Sequence, residues 1–242
     1  MTLTADDFRA LARSSPWLWR TLRFTVRYDT RPGILRAFVY RPQGIRVETL
    51  YGSVVHTGWV ARPDLGLPEV DGEPVRRPDG LVARRPGSWD LPDRYDDPVF
   101  ETYQWVAMLH PFELADGTDD GADRSPARPP IEVVDGPREV DHHGRTAWEA
   151  QVVTTAAYAA RCSCCPLLGG DEAHRTGVRE GWAMADDAAD RPSSWRIRLD
   201  RGTGVVVALT ELGGTSRGGG WSMTIEDVDV ELPRSMFGSP RP

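Results

Sequence analysis

Residues 22–28, LRFTVRY, decide how this chain folds. Leu22, Phe24, Val26 and Tyr28 alternate with Arg23, Thr25 and Arg27. A period of two puts one set on each face of an extended strand, so this segment predicts an antiparallel strand with one face against a core. Arg31-Pro32-Gly33 follows as a turn, and two further runs, 34–40 and 45–50, are separated by Arg41-Pro42-Gln43-Gly44. A fourth run, 53–60, comes after Tyr51-Gly52, and the four predict a meander. Upstream, Thr4 and Asp7 have the spacing of a capping box, and Phe8, Leu11 and Ala12 recur at helical spacing until Ser14-Ser15-Pro16. A short N-terminal helix is expected there.

Beyond the meander, residues 62–98 carry Pro and Gly every few positions and predict an irregular insertion. Residues 99–109, VFETYQWVAML, place Phe100, Tyr103, Val106 and Ala107 on one helical face, and Pro111 ends the run. Residues 116–130, acidic and then Pro-rich, predict a second irregular insertion. Alternation returns at 131–134, 139–142 and 146–153, across a His143-Gly144 turn, and again at Trp195, Ile197 and Leu199. A turn at 200–204, a run at 205–209, the Gly-rich 213–220 connection and a strand at 223–230 complete the chain. The fold class expected is mainly β with α, an α+β protein. Its architecture is one curved antiparallel sheet or half-barrel wrapping a central helix, as a single domain over residues 1–242.

Composition narrows the function. The 24 Gly and 20 Pro favour turns and strands over long helices, and the net charge of −7 argues against a nucleic-acid protein. All 29 basic residues are Arg, which reads first as coding bias. The N-terminus has no apolar run of signal-peptide type, and no stretch reaches the length of a membrane span. A cytoplasmic, reducing location is the expectation, where free thiols serve metal binding or redox chemistry more often than structural disulfides.

Several segments together carry a resemblance. Gly144-Arg145-Thr146-Ala147-Trp148 crosses one strand, and a strand-turn-strand from Trp195 to Leu209 centres on Asp200-Arg201-Gly202-Thr203-Gly204. A closing strand runs toward Phe237, and Trp105 to Leu114 reads WVAMLHPFEL. The pattern resembles the LolA-like superfamily of lipoprotein and lipid carriers, whose open β half-barrel holds an acyl chain under helical lids. The resemblance implies a soluble, non-catalytic binding protein that holds an apolar small molecule or a partner peptide. Trp59, Trp105, Trp148, Trp182, Trp195 and Trp221, six of the nine tryptophans, fall in or beside predicted elements; they are core residues by default, and a subset would line an apolar cavity.

The cysteines support a different reading. Cys162, Cys164 and Cys165 are the only three in the chain and lie within four positions. Cys162 and Cys165 have the two-residue spacing of a zinc knuckle, and His174 or the His142-His143 pair would complete four ligands. Zinc is the cofactor this would imply, and the alternative it opens is a metal- or thiol-dependent protein, an enzyme of specialised metabolism included. A redox pair beside Arg161 and simple packing of small side chains stay open beside it. No nucleophile motif accompanies either histidine, and Asp116 to Asp123 resembles a calcium loop with Gly121 at its sixth position but is rejected, because Thr118 replaces a carboxylate and Ala127 stands where the bidentate Glu belongs.

Overall fold

The computed structural model describes residues 2–59, 73–86, 97–116, 128–185 and 190–238. Helix α1 (Ala5–Ser14) starts with the expected capping box: the Thr4 side chain accepts from the Asp7 N–H, and the Asp7 carboxylate accepts from the Thr4 N–H at 2.8 Å. Strands β1 (Thr21–Tyr28), β2 (Ile34–Tyr40), β3 (Gly44–Thr49) and β4 (Val54–Trp59) form the meander. After the short hairpin β5 (Val75–Arg76) and β6 (Val82–Arg84) comes helix α2 (Tyr103–Leu109). The second half holds β7 (Ile131–His142), β8 (Arg145–Thr154), helix α3 (Asp171–Arg179), β9 (Trp195–Asp200), β10 (Val206–Glu211) and β11 (Gly220–Val228).

Nine strands make one open antiparallel sheet in the order β4-β3-β2-β1-β11-β10-β9-β8-β7. Each half of the chain is a meander, and the seam between them is β1 against β11, the first strand against the last. Register carries the period-two reading across that seam: Val26 faces Met223 and Phe24 faces Ile225 on one side, while Val26 faces Leu35 and Phe24 faces Ala37 on the other. Farther along, Leu209 faces both Trp221 and Ile197, and Ile197 faces Ala150. Leu22, Phe24, Val26, Trp195, Ile197 and Leu199 are all buried on this face. The opposite face carries Arg23 and Arg36, both paired with Glu226, at 3.0 and 3.2 Å.

α2 fills the inner face. Trp105 through Leu109 are buried on every side, and only Tyr103 and Gln104 in the first turn of the helix reach water. Trp105 packs on Phe24 with ring centroids 5.5 Å apart. The helix starts at Tyr103 rather than Val99, because Glu101 adopts a φ of 60° that no helical residue takes. α1 lies beside it, and Phe8 and Leu11 join the same core. At Gly204 (φ 68°) a Cβ would stand 2.6 Å from the Leu11 carbonyl, so the β9–β10 turn touches α1 backbone to backbone only because no side chain intervenes.

Arg41 ties these layers together. Its guanidinium is buried, makes two 2.7 Å bonds to Asp97, donates to the Ser15 carbonyl at 2.5 Å and to the Leu109 carbonyl at 2.8 Å, and lies over Trp19. It thereby gives a second donor to the Ser15 carbonyl, which also accepts the Leu18 N–H at 3.3 Å, and to the Leu109 carbonyl, which also accepts the Ser15 hydroxyl at 2.6 Å.

Three elements, β5, β6 and α3, have no counterpart in the sequence reading. β5 and β6 stand inside the first expected insertion, joined by a turn in which the Arg77 N–H donates to the Leu81 carbonyl at 2.8 Å. Strands of two and three residues are too short for a period to show. α3 buries only Ala173 and Gly177, side chains too small to mark an apolar face. Residues 62–72 and 87–96 of the first insertion, and 117–127 of the second, lie outside the described residues. Among those described, no helix is long and apolar enough to cross a membrane.

Candidate binding groove and thiol loop

A groove of about 800 Å³ opens between α1, the β5–β6 turn and the outer end of β7–β8. Leu3 and Leu11 come from α1 and its lead-in, Leu81 from the short hairpin, Pro137 from β7 and Trp148 from β8. Charged groups stand around them: Asp7, Asp79, Arg138, Glu139 and Arg201. β7 can bend here because its pairing with β8 skips between Val133 and Asp135 and again between Asp135 and Arg138. Trp148 faces Glu139 across that pair, and its indole N–H reaches the Glu139 carboxylate at 3.4 Å.

Most charges at the groove are already committed. Arg77 bonds Asp6 at 2.9 Å, Asp79 at 3.0 Å and Asp7, which fastens the short hairpin to α1. Burial pushes the Asp7 carboxyl up, but hydrogen bonds from Thr4 and Arg77 outweigh it and leave it below the usual carboxylate range. Arg138 bonds Asp135 at 2.9 Å and Glu149 at 2.5 Å. Arg201 differs: its side chain is 62% exposed and stands 4.0 Å from Glu139.

The six tryptophans are dispersed. Trp148 is the one among them that lines the groove. Trp59 sits at the edge of the sheet under Arg234, with Tyr40 and Phe237 at 5.6 and 5.8 Å. Trp105, Trp195 and Trp221 are core residues. Trp182 is half exposed beyond α3 and donates its indole N–H to Ser163 Oγ at 2.9 Å.

The three thiols form a second feature. The Sγ atoms of Cys162, Cys164 and Cys165 all lie within 4.8 Å of one another. Cys162 to Cys164 is 2.9 Å and Cys164 to Cys165 is 3.8 Å. A tight turn brings them together, with the Cys165 N–H on the Cys162 carbonyl at 3.2 Å. Ser163 is buried and pairs with Glu180 and Trp182. Burial pushes the Cys162 thiol up, but hydrogen bonds from Cys164 and Cys165 outweigh it and leave it below the usual thiol range. Cys165 is pushed up to about 12, by burial first and then by its bonds to the other two.

What holds this loop in place is Glu113, which sequence reasoning did not single out. Its buried carboxylate accepts the Arg161 N–H at 2.9 Å and the Leu167 N–H at 3.2 Å, one on each side of the cysteines. It also accepts the Tyr158 hydroxyl at 2.6 Å, and that hydroxyl in turn accepts the Leu168 N–H at 3.0 Å. The one signal available was an acidic side chain inside the WVAMLHPFEL run, which apart from it and His110 is apolar.

The histidines lie elsewhere. His174 is half-buried on α3, and the cluster of ligand atoms within 4.8 Å, among the described residues, comprises the three thiols without it. His143 is exposed in the β7–β8 turn, 3.3 Å from Ser222 Oγ. His142 is buried where β10 stops pairing with β11, its Nε2 2.8 Å from the Met223 carbonyl and its Nδ1 3.3 Å from Arg198. A carbonyl only accepts and a guanidinium only donates, so this geometry suits the neutral ring with the proton on Nε2. Burial accordingly lowers its pKa.

No family model matches the sequence, and no curated protein matches it. Among solved structures the chain is similar to MucB, with a TM-score of 0.33 and 12% identity, over 97% of this chain and 62% of that one. The chain therefore spans less than two thirds of MucB, and at that degree of likeness nothing about activity passes from one to the other.

Proposed function

We propose that this chain is a LolA-like binding protein whose groove takes a small amphipathic molecule with an apolar body and an anionic head. The observation that carries the reading is the groove itself. Its volume of about 800 Å³ is in the range of small-molecule sites. Leu3, Leu11, Leu81 and Trp148 offer an apolar floor, and Arg201 lines the groove with its side chain mostly exposed and a 4.0 Å ion pair to Glu139. A guanidinium in that position suits a carboxylate or phosphate head, which it can bind with two parallel hydrogen bonds. The open sheet with α2 against its inner face is the architecture expected from the resemblance.

Native mass spectrometry of the purified full chain, before and after titration with a long-chain carboxylate such as palmitate, tests the reading. One bound molecule per chain is the expected result. Arg201→Glu should weaken uptake on the order of tenfold, the loss of about 1.4 kcal/mol from a charged hydrogen bond. A wild-type chain that takes up no such molecule would contradict the proposal.

A further inference from the structure

The thiol loop is built as a site. Thiols that merely fill space have no reason to converge. Here the flanking N–H groups, Arg161 and Leu167, are both fixed by the buried Glu113 carboxylate. Between those anchors, Ser163 binds Glu180 and Trp182, while the cysteines at 162, 164 and 165 bring their sulfurs together. Cys162 and Cys165 are half-buried and Cys164 is exposed, so the cluster has a closed side and an open side.

The spacing fits a thiophilic ion. With metal–sulfur bonds of about 2.3 Å, sulfurs around a tetrahedral ion stand roughly 3.8 Å apart. Cys164 and Cys165 are at 3.8 Å already. The Cys162 to Cys164 edge, at 2.9 Å, is the one that has to widen. Soft thiolate sets select zinc and cuprous copper over magnesium, calcium or manganese. Four protein ligands would make a closed structural site, whereas three leave a position free.

We propose that Cys162, Cys164 and Cys165 bind one thiophilic ion of the zinc or cuprous copper class, with its fourth position open to solvent on the Cys164 side. This differs from a zinc knuckle completed by His174 or His142: the ion here has three protein ligands and exchanges readily, because among the described residues no fourth side chain closes over it. Glu113 acts as a positioning residue that shapes the loop before the ion arrives. The inference is independent of the groove.

The experiment uses the reduced full chain under anaerobic conditions, titrated with cobalt(II) as a coloured stand-in for zinc, then with zinc, and separately with cuprous ion against a chromogenic chelator. The expected result is a sulfur-to-cobalt charge-transfer band that saturates at one equivalent and is bleached by zinc. Saturation by cuprous ion alone identifies copper as the member of the class that binds. Each of Cys162→Ser, Cys164→Ser and Cys165→Ser should weaken binding by more than the roughly 10- to 100-fold that losing an outer-shell partner costs, with the circular dichroism spectrum unchanged. His174→Ala should leave the affinity as it was. Three thiols that react freely with a thiol reagent in the presence of every ion would overturn the proposal. So would an affinity that any one Cys→Ser variant leaves intact, or one that His174→Ala abolishes.

Discussion

Tyr158 donates its hydroxyl to Glu113 Oε2 at 2.6 Å, with both side chains buried, and the pair stands directly beneath the cysteine loop. Burial raises the Glu113 pKa, and its three hydrogen bonds pull it back only in part. Burial, followed by the charge of Glu113, raises Tyr158 well above the usual phenol range. The phenol therefore stays a donor, and the carboxyl is a buried acceptor on which the loop backbone converges.

Glu113→Ala should destabilise the protein by about 3 kcal/mol, because it leaves the Tyr158 hydroxyl and the Arg161 and Leu167 N–H groups buried without their acceptor. Urea unfolding measures the loss. A thiol reagent should also modify the cysteines faster in the variant, since their loop is no longer anchored at both ends. Unchanged reactivity would show that the turn itself, rather than Glu113, sets the geometry.

Asp97→Ala should cost about 3 to 5 kcal/mol, the penalty for leaving a buried cation unpaired. Arg41 would keep its bonds to the Ser15 and Leu109 carbonyls but lose both bonds to Asp97. Arg41→Lys should be destabilising too, because an ammonium cannot make the paired contact with Asp97 while reaching both carbonyls. Thermal unfolding of the two variants checks this, and a loss below about 1 kcal/mol would mean the network contributes little.

Stability should fall as pH drops below about 6.5. Burial, then Arg41 and Arg85, hold His110 well below 6.5 in the folded chain. The unfolded chain binds that proton first, so the stability present above pH 6.5 is lost as pH falls toward the folded value. His142 contributes in the same direction. Glu113 opposes them: its folded pKa is raised, so its contribution is full below about 4.5 and is lost as pH rises through the folded value. His110→Gln should therefore flatten the slope between pH 6.5 and 5 by up to about 1.4 kcal/mol per pH unit, the limit for one proton. Urea midpoints at pH 7, 6 and 5 give the slope directly.

The sheet was legible in the sequence wherever a strand was long enough to show its period. Leu22 to Tyr28 and Trp195 to Leu199 assigned their own inward faces, and the capping box announced α1. The seam between β1 and β11 was not legible, because alternation says which face is apolar and nothing about the neighbouring strand. The proximity of the thiols could be read from four adjacent positions, but their anchor could not. Glu113 lies 48 residues before Arg161, and no local pattern links an acid to a backbone N–H that far away. The tryptophan count was similarly silent on place: register puts Trp148 opposite Leu199 and Trp195 opposite Val152, on one buried face, and of the two only Trp148 also reaches the groove.

The central claim, that the groove beside Trp148 is the binding site, is tested most directly by the indole N–H resonances of the ¹⁵N-labelled chain, with Trp148 assigned by Trp148→Phe, during titration with a long-chain carboxylate. The account predicts a saturable shift of the Trp148 resonance while those of Trp105, Trp195 and Trp221 stay in place. A ligand that binds and moves the core indoles instead, leaving Trp148 untouched, would contradict it.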